Sequence, residues 1–340
     1  MNQARFPEDP FVVSGMIGVV VIGRNEGDRL KRCLESVSAA DGQLVYVDSG
    51  SSDGSAAWAR EQGLIVVELD QRQPFTAARA RNEGFRRLCE AVPDVVLVQF
   101  IDGDCEIAPG WLLVAQKFLV THTTVAAVCG RLTERFPERS IYNLLCDMEW
   151  NGPVGEVRAV GGNAMLRRDA LTAVGGYFET LVAGEEPELS FRLRAAGWKV
   201  WRMADHMGWH DAAMMHFGQW WTRTVRAGHA YAQAAMLHRA SPERLGTVET
   251  RRALLWGIAL PISIMVLVVL HPAGLVLALA YPFQVLRLAL RDGINRPANC
   301  WRALFLVLAR FPEAQGVLKF WGKRLFRRPL AIIEYKKPLQ

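Results

Sequence analysis

Seven consecutive residues, Val95-Val96-Leu97-Val98-Gln99-Phe100-Ile101, form an apolar, strand-forming run that leads straight into Asp102-Gly103-Asp104. Such a run reads as a buried strand, and it delivers two carboxylates to the strand's carboxyl end, where open α/β sheets bind their ligands. Hard oxygen ligands one residue apart suit Mg²⁺ or Mn²⁺ bridging a diphosphate, because such ions combine one or two carboxylates with substrate phosphates. Asp-x-Asp is also common in solvated turns, so the surrounding sequence must decide.

The first half of the chain repeats the same alternation. Met16 to Ile22, Leu44 to Val47, Leu64 to Leu69 and Val95 to Ile101 read as strands, with helical segments at Asp28 to Val37, Ser55 to Gln62 and Phe75 to Cys89 between them. Alternating strands and helices predict a mostly parallel sheet covered on both faces. Further on, Pro109-Gly110-Trp111 opens a helix, Val125 to Leu132 reads as a strand, and Ala159 to Leu166 as a glycine-containing strand or strand-turn. Glu186 to Ala196 is a helix with Pro187 in its first turn and Gly197 ending it. Trp198 to Met203 closes the sheet, and Ala212 to Arg239 is a long helix rich in Trp, Arg and His.

From Arg251 the character changes. Ala253 to Leu270 is eighteen residues without a charge, roughly 27 Å of helix and about the thickness of a hydrocarbon core. His271-Pro272-Ala273-Gly274 makes a turn, and Leu275 to Leu290 returns with Arg287 near its end. This pattern predicts a membrane hairpin with helices at about 253–270 and 275–290; a buried helical pair of a soluble domain is the competing account. Arg251 and Arg252 precede the hairpin, and Arg287, Arg291 and Arg296 close it, which keeps both ends and the preceding domain in the cytoplasm. Residues at about 300–326 mix apolar and charged positions and suit an amphipathic helix in the interface. The basic segment Lys319 to Lys337, with Lys323, Arg324, Arg327, Arg328 and Lys336, fits an anionic membrane surface better than nucleic acid, given the apolar stretch before it. Met1 to Pro10 is polar and carries both charge signs, unlike a signal peptide. Six cysteines without C-x-x-C spacing read as reduced thiols and exclude a zinc or disulfide framework.

A second cluster of chemistry follows the strand at Val45-Tyr46-Val47. Asp48-Ser49-Gly50-Ser51-Ser52-Asp53-Gly54 turns the backbone before a helix begins near Ser55. Free N–H groups at a helix start attract phosphate, and a strand-end carboxylate can accept from a base or ribose; a plain Asp/Ser-rich capped turn explains the same residues. Neither G-x-G-x-x-G nor G-x-x-x-x-G-K occurs in these turns, so a dinucleotide fold and a P-loop are unsupported.

Taken together, Val20-Val21-Ile22-Gly23-Arg24-Asn25-Glu26, the Asp48 stretch and Asp102-Gly103-Asp104 resemble the family-2 glycosyltransferases of GT-A fold, over about residues 16 to 230. The resemblance implies an α/β domain with a Rossmann-like, mixed but mostly parallel sheet, a nucleoside diphosphate sugar donor and a divalent metal, Mn²⁺ or Mg²⁺. It implies that Asp48 contacts the nucleotide, with Ser49 where a second Asp is common. Ala78-Arg79-Ala80-Arg81-Asn82-Glu83-Gly84 resembles the Ala-Arg-Asn-x-Gly segment and puts Arg81 near the nucleotide. Gly161-Gly162-Asn163-Ala164-Met165 resembles the strand beneath sugar and acceptor, with Asn163 at the donor; a tight structural turn is equally consistent. Gly184-Glu185-Glu186-Pro187-Glu188-Leu189 resembles the Glu-Asp motif that supplies the base, with Glu186 standing where Asp is usual. His210 lies where such enzymes place a metal-binding imidazole beyond that motif, although His206 competes. Gln219-Trp220-Trp221-Thr222-Arg223 loosely resembles the Gln-x-x-Arg-Trp motif of polysaccharide synthases, with Arg223 at the departing diphosphate and the Trp pair on a sugar or the membrane.

The expectation is therefore a hexosyltransferase-type enzyme of polysaccharide biosynthesis. A catalytic domain at 1–240 faces the cytoplasm from a multi-pass region at 241–340 in the cell inner membrane. The sugar passes with inversion to a hydroxyl of a lipid-linked or membrane-proximal glycan acceptor. Glu186 is the general base; Asp104, Asp102 and His210 hold the metal; Asp48, Arg81, Asp102, Asn163 and Arg223 hold the donor. Nucleic acid is no partner. The rivals are a processive polysaccharide synthase and a catalytically silent nucleotide-sugar-binding scaffold in the membrane.

Overall fold

The computed structural model describes residues 17–37 and 43–326; Met1 to Met16 and the basic residues Arg327, Arg328 and Lys336 lie outside them. β1 (Ile17–Gly23), β2 (Leu44–Asp48), β3 (Ile65–Glu68) and β4 (Leu97–Asp102) pair in parallel in the order β3-β2-β1-β4. α1 (Asp28–Ser36), α2 (Ser55–Glu61) and α3 (Ala77–Ala91) are the crossovers. The near-continuous burial of Val19–Ile22, Leu44–Val47 and Leu97–Ile101 is what a parallel sheet covered on both faces requires.

Beyond β4 the pairing becomes mixed. β5 (Cys105–Ile107), α4 (Trp111–Thr121), β6 (Val125–Glu134), α5 (Ile141–Trp150), β7 (Gly155–Glu156), β8 (Ala164–Arg167), α6 (Arg168–Ala173), α7 (Glu185–Ala195) and β9 (Lys199–His210) complete the domain. β8 runs antiparallel to both β4 and β6, and β9 runs parallel to β6 and antiparallel to β5 and β7. The strand expected at Ala159 to Leu166 begins only at Ala164, since Gly161 and Gly162 precede it as irregular chain. The strand expected to end at Met203 continues to His210. Register shifts between Cys129 and Leu132 let β9 bend and stay paired with β6 as far as His210, while Gly208, Trp209 and His210 also pair with β5.

α8 (Phe217–Leu237) leads into α9 (Thr247–Leu254), which continues through a π-helical stretch, Leu255–Ala259, into α10 (Leu260–Leu270). Pro261 explains the widened turn: it cannot donate to the carbonyl of Gly257, and its ring crowds that oxygen. After His271, a 3₁₀ stretch Pro272–Leu279 runs into α11 (Ala280–Asp292). The two continuous helices, Thr247–Leu270 with 24 residues and Pro272–Asp292 with 21, exceed about 30 Å at 1.5 Å per residue. Their apolar side chains point outward, Val269 being 82% exposed, so they are not the packed pair of a soluble core.

The single amphipathic helix expected at about 300–326 is instead two helices, α12 (Pro297–Leu308) and α13 (Arg310–Leu325). Nor is α13 free to lie on a bilayer by its whole apolar face. It crosses α8 so closely that a Cβ on Gly228 would lie 2.0 Å from the Glu313 carbonyl oxygen, and one on Gly316 2.1 Å from that of Val225. Ala232, Ala253, Ala314, Val317 and Phe320 pack around the crossing.

Gly228→Ala should therefore lower the thermal-unfolding midpoint of the detergent-purified protein, the crowding costing about 1–3 kcal/mol. Gly322→Ala on α13, where an added Cβ meets nothing within 4 Å, should leave the midpoint unchanged or raise it. Equal effects of the two would show that the glycine contact does not hold α13 to α8.

Candidate active site

At the carboxyl end of β4 the backbone is pinned before any side chain acts. Gly103 N–H donates to the Ile22 carbonyl at 2.8 Å, and Asp102 N–H donates to Asn163 Oδ1 at 3.1 Å. Sheet register then assembles one centre. Cys105 pairs with His210 across β5–β9, and Glu134 pairs with His210 across β6–β9. His210 Nε2 consequently lies 3.3 Å from Asp104 Oδ2, and its Nδ1 lies 3.2 Å from Glu134 Oε2. The Trp150 ring meets the imidazole edge-on at 4.3 Å. Donor atoms of Asp104, Cys105 and His210 all fall within 4.8 Å of one another. The Cys105 thiol is buried and lies 3.3 Å from Asn163 Nδ2, which leaves one carboxylate and one imidazole as the donors suited to Mn²⁺ or Mg²⁺. An imidazole held by a carboxylate on its other nitrogen is the usual setting of a metal-binding histidine, so the donor set fits such an ion.

Asp102 turns the other way, toward Arg81. That guanidinium is 1% exposed. It donates to Glu185 Oε1 at 2.7 Å and Asp102 Oδ1 at 2.8 Å, and lies 3.1 Å from Glu186 Oε1. The Tyr177 ring covers it at 5.5 Å. Three helices and strands meet in this cluster: α3 brings the arginine, β4 Asp102, and the first turn of α7 both glutamates. A Cβ on Gly162 would lie 2.3 Å from Arg81 Nη2 and 2.6 Å from Asp102 Oδ2, so a side chain there would displace the charged groups. Burial, and then the charge of neighbouring Glu185, push the Glu186 carboxyl up to about 7 despite Arg81.

Several expected contacts are placed differently. Asp48, read as a nucleotide contact, is 1% exposed. Its oxygens accept from Tyr46 Oη at 2.9 Å and from the N–H groups of Gly50 and Ser51 at 2.9 and 2.8 Å, so it ties its own turn. Asp53 is the carboxylate of that stretch that lines the cleft, where it accepts from Gly27 and Ser55 N–H. Asn25, at φ 55°, accepts from Ser52 N–H and so zips the first loop to the second. Arg81 lies beneath the carboxylates and not at the nucleotide loop. Asn163 holds the Asp102 backbone. Arg223 lines the opposite wall but forks onto Glu149 at 2.9 and 3.2 Å. The Trp pair is used in packing: Trp220 is buried with Cys146, Ala212 and Met214, and Trp221 Nε1 donates to Gln315 on α13.

Asp53, Asp102, Asp104, Glu186, His210 and Arg223 open into one cleft of about 1670 Å³ that continues to Arg252, Leu306 and Arg310 in the C-terminal helices. Sequence reasoning missed Glu134, Glu149 and Tyr177. Glu134 ends an apolar strand, but no spacing ties it to His210, 76 positions away; only strand register does.

Residues 18–175 match the model of Glycosyl transferase family 2. Glycosyltransferase AglE of Haloferax volcanii is 25% identical over 244 residues, covering 67% of this chain and 77% of AglE. Succinoglycan biosynthesis protein ExoA of Rhizobium meliloti is 26% identical over 196 residues, covering 54% of this chain and 59% of ExoA. Among solved structures, the mannosyltransferase PcManGT of Pyrobaculum calidifontis, in complex with GDP-Man and Mn²⁺, superposes with a TM-score of 0.58 at 19% identity, over 90% of this chain and 87% of that one. At that identity the likeness is one of fold.

Removing Arg81 strands three carboxylates in a buried cluster. Arg81→Gln should cost about 3–5 kcal/mol at pH 8. The loss should shrink toward pH 5.5, because carboxyls with raised pKa values take up protons in the folded state as pH falls. Thermal midpoints of wild type and variant at the two pH values give the comparison; a pH-independent difference would mean that charge is not the cause.

Proposed function

Because the chain is a glycosyltransferase of family 2 with the GT-A fold, we propose that it carries a sugar, with inversion, from a nucleoside diphosphate sugar to a hydroxyl of a lipid-linked or membrane-proximal glycan. The observation that carries this reading is the meeting of Glu186 and Asp102 on one buried arginine, beside the Asp104–His210 pair in the same cleft. A base and a set of ligands for the leaving group then flank one sugar-sized space.

Glu186 takes the acceptor proton. A carboxyl near 7 is matched to that task at physiological pH, and its extra methylene relative to Asp lets it reach out from the first turn of α7. Arg81 and Gly162 are positioning elements that hold Glu186 and Asp102 at a fixed separation. Asp104 and His210 would hold the divalent ion, with Glu134 orienting the imidazole; when bound, the ion supplies positive charge that offsets the departing diphosphate. Asp53, at the mouth of the zipped loops, faces the nucleoside, with Asp48 keeping its turn in shape. Arg223 is assigned to the diphosphate, sharing its fork with Glu149. PcManGT is a mannosyltransferase solved with GDP-Man, so GDP-mannose belongs in the first donor screen together with the uridine and thymidine sugars.

Residues 1–240 form the catalytic part and 241–340 the membrane-associated part in this reading. The exposed apolar faces of the two long helices enter the cell inner membrane, and the arginines at both ends of the hairpin keep the catalytic part in the cytoplasm. ExoA is a succinoglycan biosynthesis protein, which is consistent with a role in polysaccharide assembly.

The test is nucleoside diphosphate release by detergent-purified protein with Mn²⁺ or Mg²⁺ across a donor panel. Glu186→Gln should keep donor binding and lose at least about 100-fold in transfer; transfer at the wild-type rate would remove Glu186 as the base. Asp104→Ala should abolish metal-dependent donor binding, and Glu134→Ala should raise the metal concentration needed by about 10–100-fold. Since the ionised form of Glu186 is the base, kcat/KM should climb as pH rises through about 7 and level off above it. A flat profile between pH 6 and 8 would assign proton removal to another group.

A further inference from the structure

Below the catalytic cleft, where the hairpin meets the domain, a second cavity of about 410 Å³ lies between the C-terminal helices. Arg252 and Trp256 enter it from the first long helix, Gln284, Arg287 and Arg291 from the second, and Arg310 from α13. No carboxylate lines it. Arg291 is paired with Asp292, and Arg310 with Glu313. Arg252 and Arg287 have neither hydrogen-bond nor ion-pair partners among the described residues. With Arg291 and Arg310 already paired, Arg252 and Arg287 bring two further positive charges to a cavity at the end of apolar helices, and an anion there offsets them.

The helix surface outside the cavity says what kind of anion. Phe283, Leu286 and Leu290, spaced at three and four residues, form an exposed apolar stripe on α11 beside Arg287 and Arg291. Trp256 and Tyr281 meet edge-on at 5.8 Å, and Tyr281 Oη donates to the Trp256 carbonyl at 2.7 Å. Such an aromatic pair marks the depth of the membrane–water interface. Trp256 stands in the π-helical stretch, a deviation that recurs at functional sites. A free anion would need the arginines but not the stripe.

We propose that this cavity binds the phosphate or diphosphate headgroup of a membrane lipid that carries the acceptor. Its tail lies along the stripe of α11, and the group beyond the phosphate projects into the catalytic cleft. Arg252, Leu306 and Arg310 line both spaces, so the two are immediate neighbours. Basic pockets between membrane helices on the cytoplasmic side recognise lipid headgroups by the same chemistry. The assignment of the lipid as acceptor rests on the transferase reading above; the binding site itself does not.

The full-length protein in phosphatidylcholine nanodiscs is titrated with radiolabelled geranylgeranyl diphosphate in EDTA, which removes metal-dependent binding in the catalytic cleft. Saturable binding is expected. The double variant Arg252→Gln/Arg287→Gln, changed at two exposed side chains, should lose at least tenfold in affinity with an unchanged thermal midpoint. Inorganic pyrophosphate should compete at least tenfold more weakly than the lipid. The proposal is overturned by unchanged affinity in the double variant, by pyrophosphate competing equally (a soluble-anion site), or by nanodiscs of phosphatidylglycerol competing equally (a general anionic-lipid contact). Nucleoside diphosphate release is read separately. Lipid binding that survives in a protein with no donor turnover would sink the transferase reading and leave the site standing.

Discussion

One buried guanidinium, Arg81, joins three carboxylates that arrive from the end of β4 and the first turn of α7. Removing a cation from water costs several kcal/mol, and only well-placed acids offset that cost. Here the acids outnumber the cation, so the cluster keeps a surplus of negative charge. Burial first, and that surplus second, hold the proton on Glu186 to about 7, and the neighbours cannot drift apart without exposing an unpaired charge. Gly162 completes the constraint, because any side chain there would occupy the space in which the charged groups meet. The geometry between the end of β4 and the start of α7 thus depends on electrostatics in a confined space, with apolar packing only framing it.

The second centre is built by hydrogen-bond register. β9 extends past its expected end, and its register shifts carry His210 to a point between Cys105 of β5 and Glu134 of β6. His210 is held by its strand, and Asp104, in the turn between β4 and β5, is held beside it by Asp211 N–H donating to the Asp104 carbonyl at 2.9 Å. Glu134 then fixes the imidazole from behind, and Trp150 from the edge.

The C-terminal helices are joined to this machinery through backbone contact. Gly228 and Gly316 let α8 and α13 approach until carbonyls touch α-carbons, while Trp220 and Trp221 on α8 reach the packing beneath α12 and α13. Arg223, one turn away, lines the catalytic cleft. Movement of the C-terminal helices would therefore be felt at the cleft wall through a single rigid helix.

Local pattern alone determined a good deal of this protein. The strand–helix alternation, the two carboxylates closing β4, the glutamates opening α7 and the paired apolar helices all follow from hydrophobic period and turn chemistry, which act over a few neighbouring residues. Tertiary structure decided what those residues touch. Asp48, expected at the nucleotide, folds back onto Tyr46, Gly50 and Ser51; Arg81 was also expected there but sits beneath Glu186; Arg223 is engaged by Glu149; the Trp pair packs helices; and Glu134 gave no local sign of its place behind His210. For Arg81, Arg223 and Glu134 the cause is the same. A buried charge takes whichever opposite charge the fold brings within about 3 Å, and that partner stands 21 positions from Arg81 in one case and 104 in another, a separation that no local periodicity encodes.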